Sequence, residues 1–391
     1  MDKKKWRCFS PRDIIKDLKK GFWSFAKAGL AVFGCGAFVW GTLCLAKEGS
    51  PIFYCAVAFA SPGSVMEMWQ EENLFEHDEA IAPPAEQPAE NGDEHGKEQD
   101  EHGGLSAPEE QPPAEQKDIP EVPEERRGTV KEVFYSPKAG GAYIQYENAM
   151  IKNCTKYTSE KILSVLKTKT DISLSTDLPE TPQVLIYHTH ATEGYEPADR
   201  GYFDTEGTWR TTDLSENMAA VGDVICSVLE KNGIGTVHDV TLHDDPGYKG
   251  SYQRSAVTIS KHLEESPTIK ICLDIHRDAI EPSETEIIKP TAVIDGKKAA
   301  QIMIISGCDD GTMNMPDFFE NLRFAAALAN EMQTLYPGLC RPILFDYRKY
   351  NMDLSTGLLL IEIGATGNTL EEAQYSAELL ANAIVSLFAE K

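Results

Sequence analysis

The nine cysteines of this 391-residue chain include no Cys-x-x-Cys pair. Their number is odd and their spacing irregular, which excludes a disulfide framework and a cysteine-ligated zinc site. Cys226 and Cys272 lie in apolar periodic segments and read as small core residues. No stretch repeats another. Positive charge is scarce: 37 Lys and Arg stand against 62 Asp and Glu, for a formal net charge of -25. No nucleic-acid partner is suggested by that balance. Aromatic residues almost vanish between Glu71 and Arg127, where 19 acids meet four bases and eight prolines. Such a segment buries too little apolar surface to offset its ordering entropy, so it reads as a disordered, extended tether. It holds about 15 of the 25 net negative charges. Its His77, His95 and His102 read as incidental to a solvated linker.

Charge is absent altogether from Ala28 to Ala46, a 19-residue apolar run. That is close to the roughly 20 residues needed to cross a bilayer as a helix. Nine Lys and Arg precede it and few follow, so the positive-inside rule places the N-terminus in the cytoplasm and the bulk of the chain outside. Trp23 and Trp40 suit the two interfacial zones. The competing reading is a cleaved signal peptide, with Ala58-Phe59-Ala60 as a small-residue cleavage site. The division expected is a basic segment at 1–27, a transmembrane anchor at 28–46, a membrane-proximal and acidic linker at 47–127, and a folded domain at 128–391.

Within that domain, strand and helix patterns alternate. Short strands with a Gly140-Gly141 turn are expected over Thr129–Gln145, and helices near Ser159–Leu166, Glu216–Lys231, Ser251–Leu263, Phe318–Leu335 and Leu370–Phe388. Asp213 or Ser215 is expected to cap the second of these. Val184–Tyr187, Ile234–Val240, Thr268–His276, two short stretches near Ala292 and Ile302–Ser306, Pro342–Tyr347 and Gly357–Gly364 read as strands. The alternation predicts an α/β fold: a doubly wound, mostly parallel sheet with helices on both faces.

Three of the apolar strands run into chemistry-bearing residues. Val184–Tyr187 leads into His188-Thr189-His190-Ala191-Thr192-Glu193, another ends on His276, and Glu362 interrupts Leu-Leu-Leu-Ile-Glu-Ile. Carboxyl ends of parallel neighbours converge on one edge of a sheet, where α/β folds place their ligands. His190, Glu193 and His276 are therefore the candidate ligands of a zinc ion, with an open position for water. Glu362 is the candidate general base, since an unpaired carboxylate in an apolar run is costly. His188, two residues before His190, points to the opposite face of an extended chain and is the reserve histidine. Glu216 and Asp213 are the alternatives to Glu193. Asp274 or Asp278 is placed to orient His276. Arg277 or Arg254 is a candidate for binding a substrate carboxylate.

His-Thr-His-Ala-Thr-Glu-Gly-Tyr at 188–195, Val-Gly-Asp at 221–223, His-Asp-Asp-Pro-Gly-Tyr-Lys-Gly-Ser-Tyr at 243–252, Asp-Ile-His-Arg-Asp at 274–278 and Leu-Ile-Glu-Ile-Gly at 360–364 resemble the stage II sporulation protein P family. The resemblance covers about residues 130–391, and Gly194 stands where many relatives have Ser. It implies a relative of the zinc-dependent N-acetylmuramoyl-L-alanine amidases that hydrolyses the amide between peptidoglycan glycan and stem peptide, with endopeptidase cleavage of cross-links. It also implies work at the membrane of the sporulation septum, in the intermembrane space, during engulfment. A lytic transglycosylase acting on denuded glycan and a membrane scaffold are the implied partners. His190 and His276 match the motif histidines and Glu362 the C-terminal acid; related amidases place the carboxylate ligand near the start of the following helix. Two other readings use the same residues: a zinc carboxypeptidase acting on free peptide ends, and a non-catalytic domain that binds wall or a partner.

Overall fold

A computed structural model describes residue 119 and residues 121–389. The basic segment, the anchor and almost all of the acidic linker expected from the sequence lie outside the described residues. Among the described residues no helix is long and apolar enough to cross a membrane.

In chain order the elements are β1 (Arg127–Val133), β2 (Tyr143–Tyr146), β3 (Ala149–Asn153), α1 (Ser159–Val165), β4 (Val184–Tyr187), β5 (Tyr202–Asp204), α2 (Met218–Lys231), β6 (Thr236–His238), α3 (Ser251–Glu265), β7 (Ile271–Asp278), β8 (Glu286–Ile294), β9 (Lys297–Ala300), β10 (Ile302–Gly307), α4 (Phe318–Leu335), β11 (Ile343–Asp346), β12 (Leu358–Ala365) and α5 (Leu370–Phe388). The fold is mixed α/β. Eight strands form the main sheet in the order β2-β3-β11-β10-β12-β7-β4-β6. Its centre, β12-β7-β4-β6, is parallel throughout, whereas β10 runs antiparallel to β12 and β2 antiparallel to β3. The central strands are apolar because both faces are covered: all of Val184–Tyr187 and Leu358–Ile361 are buried.

The expectation of one doubly wound sheet needs correction. Ala292 lies in β8, and β8 joins a second sheet of order β5-β1-β8-β9, pairing in parallel with β1 and antiparallel with β9. The β8–β9 hairpin closes on the two-residue turn Asp295-Gly296, a strong local hairpin signal. Which sheet a hairpin joins depends on long-range pairing with β1, which no local pattern encodes.

Three long helices lie side by side, with α5 between α2 and α4; α2 packs on β4, β6 and β7, and α4 on β3, β10 and β11. Side-chain caps fix the starts of α5 and α2. Thr369 and Glu372 form a reciprocal capping box at α5. At α2 the cap is Asn217, whose side chain accepts from Ala219 N at 2.9 Å, in place of the expected Asp213 or Ser215. An asparagine oxygen at that position satisfies an otherwise orphaned donor of the first turn.

Candidate functional site

The parallel neighbours β12, β7 and β4 set the geometry. Glu362 stands opposite His276 in the β12–β7 register, and Tyr187 opposite Asp274 in the β7–β4 register. The chain leaving β4 therefore carries His190 and Glu193 alongside the exposed end of β7. His276 Nδ1 lies 3.4 Å from Glu193 Oε2, and the His190 and His276 rings meet edge to face with centroids 5.2 Å apart. The structure thus brings His190, Glu193, His276 and Glu362 to one sheet edge.

Surrounding groups hold each of these in place. Asp274 is fully buried; its carboxylate accepts from Thr189 N and Thr189 Oγ1 at 2.8 and 2.7 Å, and its Oδ1 lies 2.8 Å from His276 Nε2. Asp274, between the two aspartates considered, is the one against His276. Asp278 instead pairs with Arg341 at 2.8 Å. Arg277 is buried: its backbone N–H donates to Glu193 Oε2 at 3.3 Å and its Nε to Gly194 O at 2.9 Å. Arg254 donates to the carbonyls of His243, Gly247 and Lys249, stapling the loop that carries Tyr248. Both arginines are occupied internally. The side chains of Asp213 and Glu216 are exposed, in contrast to the buried Glu193.

His188 turns away from this group. Its Nδ1–H donates to Ile275 O at 3.0 Å, and its Nε2 lies 2.9 Å from His238 Nε2. Burial pushes the His188 imidazole down to about 3, so it stays neutral and is able to accept. His238 in turn faces Asp223 Oδ1 at 2.9 Å. Gly222 of α2 permits the pair: a Cβ there would lie 2.4 Å from His238 Nε2 and 2.9 Å from His188 Nε2. Gly222→Ala is expected to destabilise the fold. The overpacking cost of roughly 1–3 kcal/mol exceeds the roughly 1 kcal/mol that alanine adds to helix propensity. Chemical denaturation of the full chain measures this, and unchanged or increased stability would contradict the close approach.

Electrostatics divide the four residues. Burial opposes the charge on Glu193, but the His276 contact and the Arg277 charge hold its carboxyl well below the usual range. Burial likewise disfavours charge on His276, and Asp274 followed by Glu193 overrides it, raising the imidazole well above its ordinary value. Burial lowers His190 to about 4. Glu362 moves the other way: burial, then the charge of Asp278, pushes its carboxyl up to about 8. Its Oε2 is shielded and has no hydrogen-bond partner.

The raised Glu362 carboxyl makes a pH prediction for the metal-free chain. The folded state binds this proton more tightly than the unfolded chain, whose carboxyl titrates near 4.5. The resulting destabilisation is absent below that value, grows as pH rises, and is complete above about 8. Glu362→Gln should therefore raise the melting temperature of the metal-free chain at pH 9, by roughly 4 °C or more, and scarcely at pH 4. An equal effect at both values would refute the raised carboxyl.

Several further residues at the site receive no role from the sequence, although Asp244, Tyr248 and Tyr252 fall within the 243–252 motif. Tyr248 stacks on His190, with centroids 4.2 Å apart, and Arg210 lies over the far face of Tyr248 at 4.9 Å. Asp244 accepts from Thr192 Oγ1 at 2.6 Å and Arg210 Nη1 at 2.7 Å, and its Oδ2 lies 3.9 Å from His190 Nδ1. Tyr252 meets His190 edge-on and stacks on Tyr350. The polar run 243–248 reads as a loop, and only folding places it over the strand ends.

Whether these side chains suit a metal turns on their free donors. Among the described residues no group of three or more His, Cys, Asp and Glu is arranged to hold a metal ion. The reason is local: His276 is held between the carboxylates of Glu193 and Asp274, so imidazole and acid are spent on each other. His190 Nδ1 is nevertheless buried without a hydrogen bond. Two imidazoles beside one ionised carboxylate are the donor types zinc takes, so the donor chemistry of the set, though not its metal-free arrangement, fits such an ion.

The fold and this edge define a mixed α/β domain with a histidine- and glutamate-lined centre at its parallel strand ends. The chain belongs to the stage II sporulation protein P family, whose model matches residues 58–385. It is 33% identical to Stage II sporulation protein P of Bacillus subtilis (strain 168) over 218 residues, which are 53% of this chain and 50% of that protein. The chain thus spans about half the length of that curated relative. Among solved structures it resembles an N-acetylmuramoyl-L-alanine amidase of Nostoc punctiforme (TM-score 0.32, 13% identity, 53% of this chain and 94% of that one). It also resembles the CwlD amidase of Clostridioides difficile in complex with the GerS lipoprotein (TM-score 0.32, 11% identity, 52% of this chain and 94% of that one). Likeness at this level assigns no activity to this chain.

Proposed function

We propose that this protein is a zinc-dependent peptidoglycan hydrolase that cleaves the amide between N-acetylmuramic acid and the stem peptide, and peptide cross-links as well. The observation that carries the reading is the meeting of His190, Glu193, His276 and Glu362 at the ends of three adjacent parallel strands. His190, Glu193 and His276 would hold the ion. Bound there, zinc supplies an acidified water and polarises the scissile carbonyl. The chain's own residues do the rest. Glu362, with a shielded oxygen and a carboxyl raised to about 8, takes a proton from the attacking water and gives it to the leaving amine. Asp274 orients His276, and Arg277 fixes Glu193 and Gly194.

A carboxypeptidase would need a cation held ready for a terminal carboxylate. Arg254 is committed to the carbonyls of His243, Gly247 and Lys249, and Arg277 is buried with its Nε donating to Gly194 O, which favours the amidase reading. Family membership and the apolar run at 28–46 support action on septal wall from a single-pass anchor, facing the intermembrane space during engulfment. A lytic transglycosylase and a membrane scaffold are the proposed partners. Digestion of purified wall by the full chain, with and without chelator, tests the reading. The expected products are free stem peptides and denuded glycan, lost with chelator and restored by zinc; unaltered wall in every arm would reject it.

A further inference from the structure

A trough of about 1200 Å³ opens beside the centre. Its lining includes Gly194, Glu196, Trp209 and Arg210 and, from α5, Glu371, Tyr375 and Glu378. Arg210 joins trough and centre, since it lines the one and reaches Glu193 and Asp244 in the other, at 3.5 and 2.7 Å. The volume exceeds the roughly 300–1,000 Å³ of ordinary small-molecule pockets, which suits a chain more than a single compact ligand.

Its chemistry narrows the ligand. Trp209, the sole tryptophan between residues 121 and 389, and Tyr375 both line it. Of the positive charges nearby, Lys298 is matched by Glu132 and Asp199 and Arg210 by Asp244 and Glu193, while Lys297 lies over the Tyr375 ring at 5.3 Å. Glu371 and Glu378 are exposed acids on the α5 wall. Glu196 is 3% exposed; Trp209 Nε1 donates to its Oε1 at 2.5 Å, its Oε2 accepts no hydrogen bond, and Arg200 Nη2 lies 3.6 Å from that oxygen. A negative trough repels peptides bearing free carboxylates. It accepts a neutral, hydroxyl-rich chain, whose C–H faces lie on aromatic rings and whose hydroxyls donate to carboxylates.

We propose that this trough is the subsite for the glycan strand, a neutral chain of N-acetylated hexoses, on the Arg210 side of the cleaved amide. The assignment rests on the hydrolase reading for its substrate class. Its binding, however, is measurable without any hydrolysis.

The test titrates the full chain, treated with chelator, with tetra-N-acetylchitotetraose. The Trp209 signal is isolated as the difference in emission between the wild type and Trp209→Phe. Saturable change is expected in that difference, together with a loss of affinity of about tenfold in Trp209→Ala and severalfold in Tyr375→Ala by calorimetry. A free, carboxylate-bearing stem tetrapeptide should not displace the sugar. If Trp209→Ala fails to fold by circular dichroism, Tyr375→Ala, the other aromatic substitution in the lining, decides. Unchanged Trp209 emission at saturation, wild-type affinity in the folded variants, or displacement by the peptide would each overturn the subsite. Sugar binding through Trp209 in a chain that cuts no wall amide would reject the amidase reading and leave the subsite standing.

Discussion

Replacing Glu362 with Gln is expected to lower hydrolysis of wall amides by roughly 10²–10⁴-fold, the usual worth of a positioned proton-transfer group, while zinc remains bound to the full chain. The substitution keeps the shape of the side chain and removes only its ability to take a proton. Glu362 occupies β12, opposite His276, and its Oε2 has no partner in the protein. In the metal-free chain burial and the neighbouring Asp278 push its carboxyl up to about 8; a bound dication would lower it toward the range where a group both accepts and returns a proton near neutral pH. The ion would be held by residues on β7 and on the chain leaving β4, so loss of the base leaves that set intact. Residual activity within tenfold of wild type, or loss of zinc from the folded variant, would reject the role.

Replacing His276 with Ala should remove zinc and activity together. This imidazole lies between Asp274 and Glu193, at 2.8 and 3.4 Å, and carries a proton in the metal-free chain. Its loss removes the imidazolium between two buried carboxylates and leaves Asp274 without its cation, at a cost on the order of 3–5 kcal/mol. His276→Gln, which keeps a polar side chain there, guards against simple unfolding. Metal content per folded chain, measured for both variants, should fall from one equivalent to near zero. Retention of stoichiometric zinc in either folded variant would remove His276 from the ligand set.

Much of this arrangement was written in local pattern. Phe318–Leu335 and Leu370–Phe388 repeat apolar residues at helical spacing and form α4 and α5 over those ranges. Val184–Tyr187 is apolar because β4 is covered on both faces, and the abrupt switch to His188 and His190 marks where it leaves the sheet. The same logic exposed His276 and Glu362, since polar groups ending apolar strands are costly unless they are used. What stayed hidden depends on distant segments. The capping role of Asn217 was masked by Asp213 and Ser215, equally good cap residues a few positions earlier. The second sheet follows from pairing between β1 and β8, more than 150 residues apart in sequence. Tyr248, Asp244 and Arg210 stand in loops with no periodicity, and only the folded chain lays them against His190. Arg277 and Arg254 looked free in the sequence because their acceptors are backbone carbonyls and a carboxylate supplied by other loops.

X-ray absorption at the zinc edge of the purified full chain is the most direct test of whether one ion sits among these residues. A shell of nitrogen and oxygen near 2.0–2.1 Å, with the outer scattering of two imidazoles, is the predicted spectrum. His190→Ala and His276→Ala should each lose that shell. A sulfur shell near 2.3 Å, or a spectrum unchanged by either substitution, would contradict the shared centre.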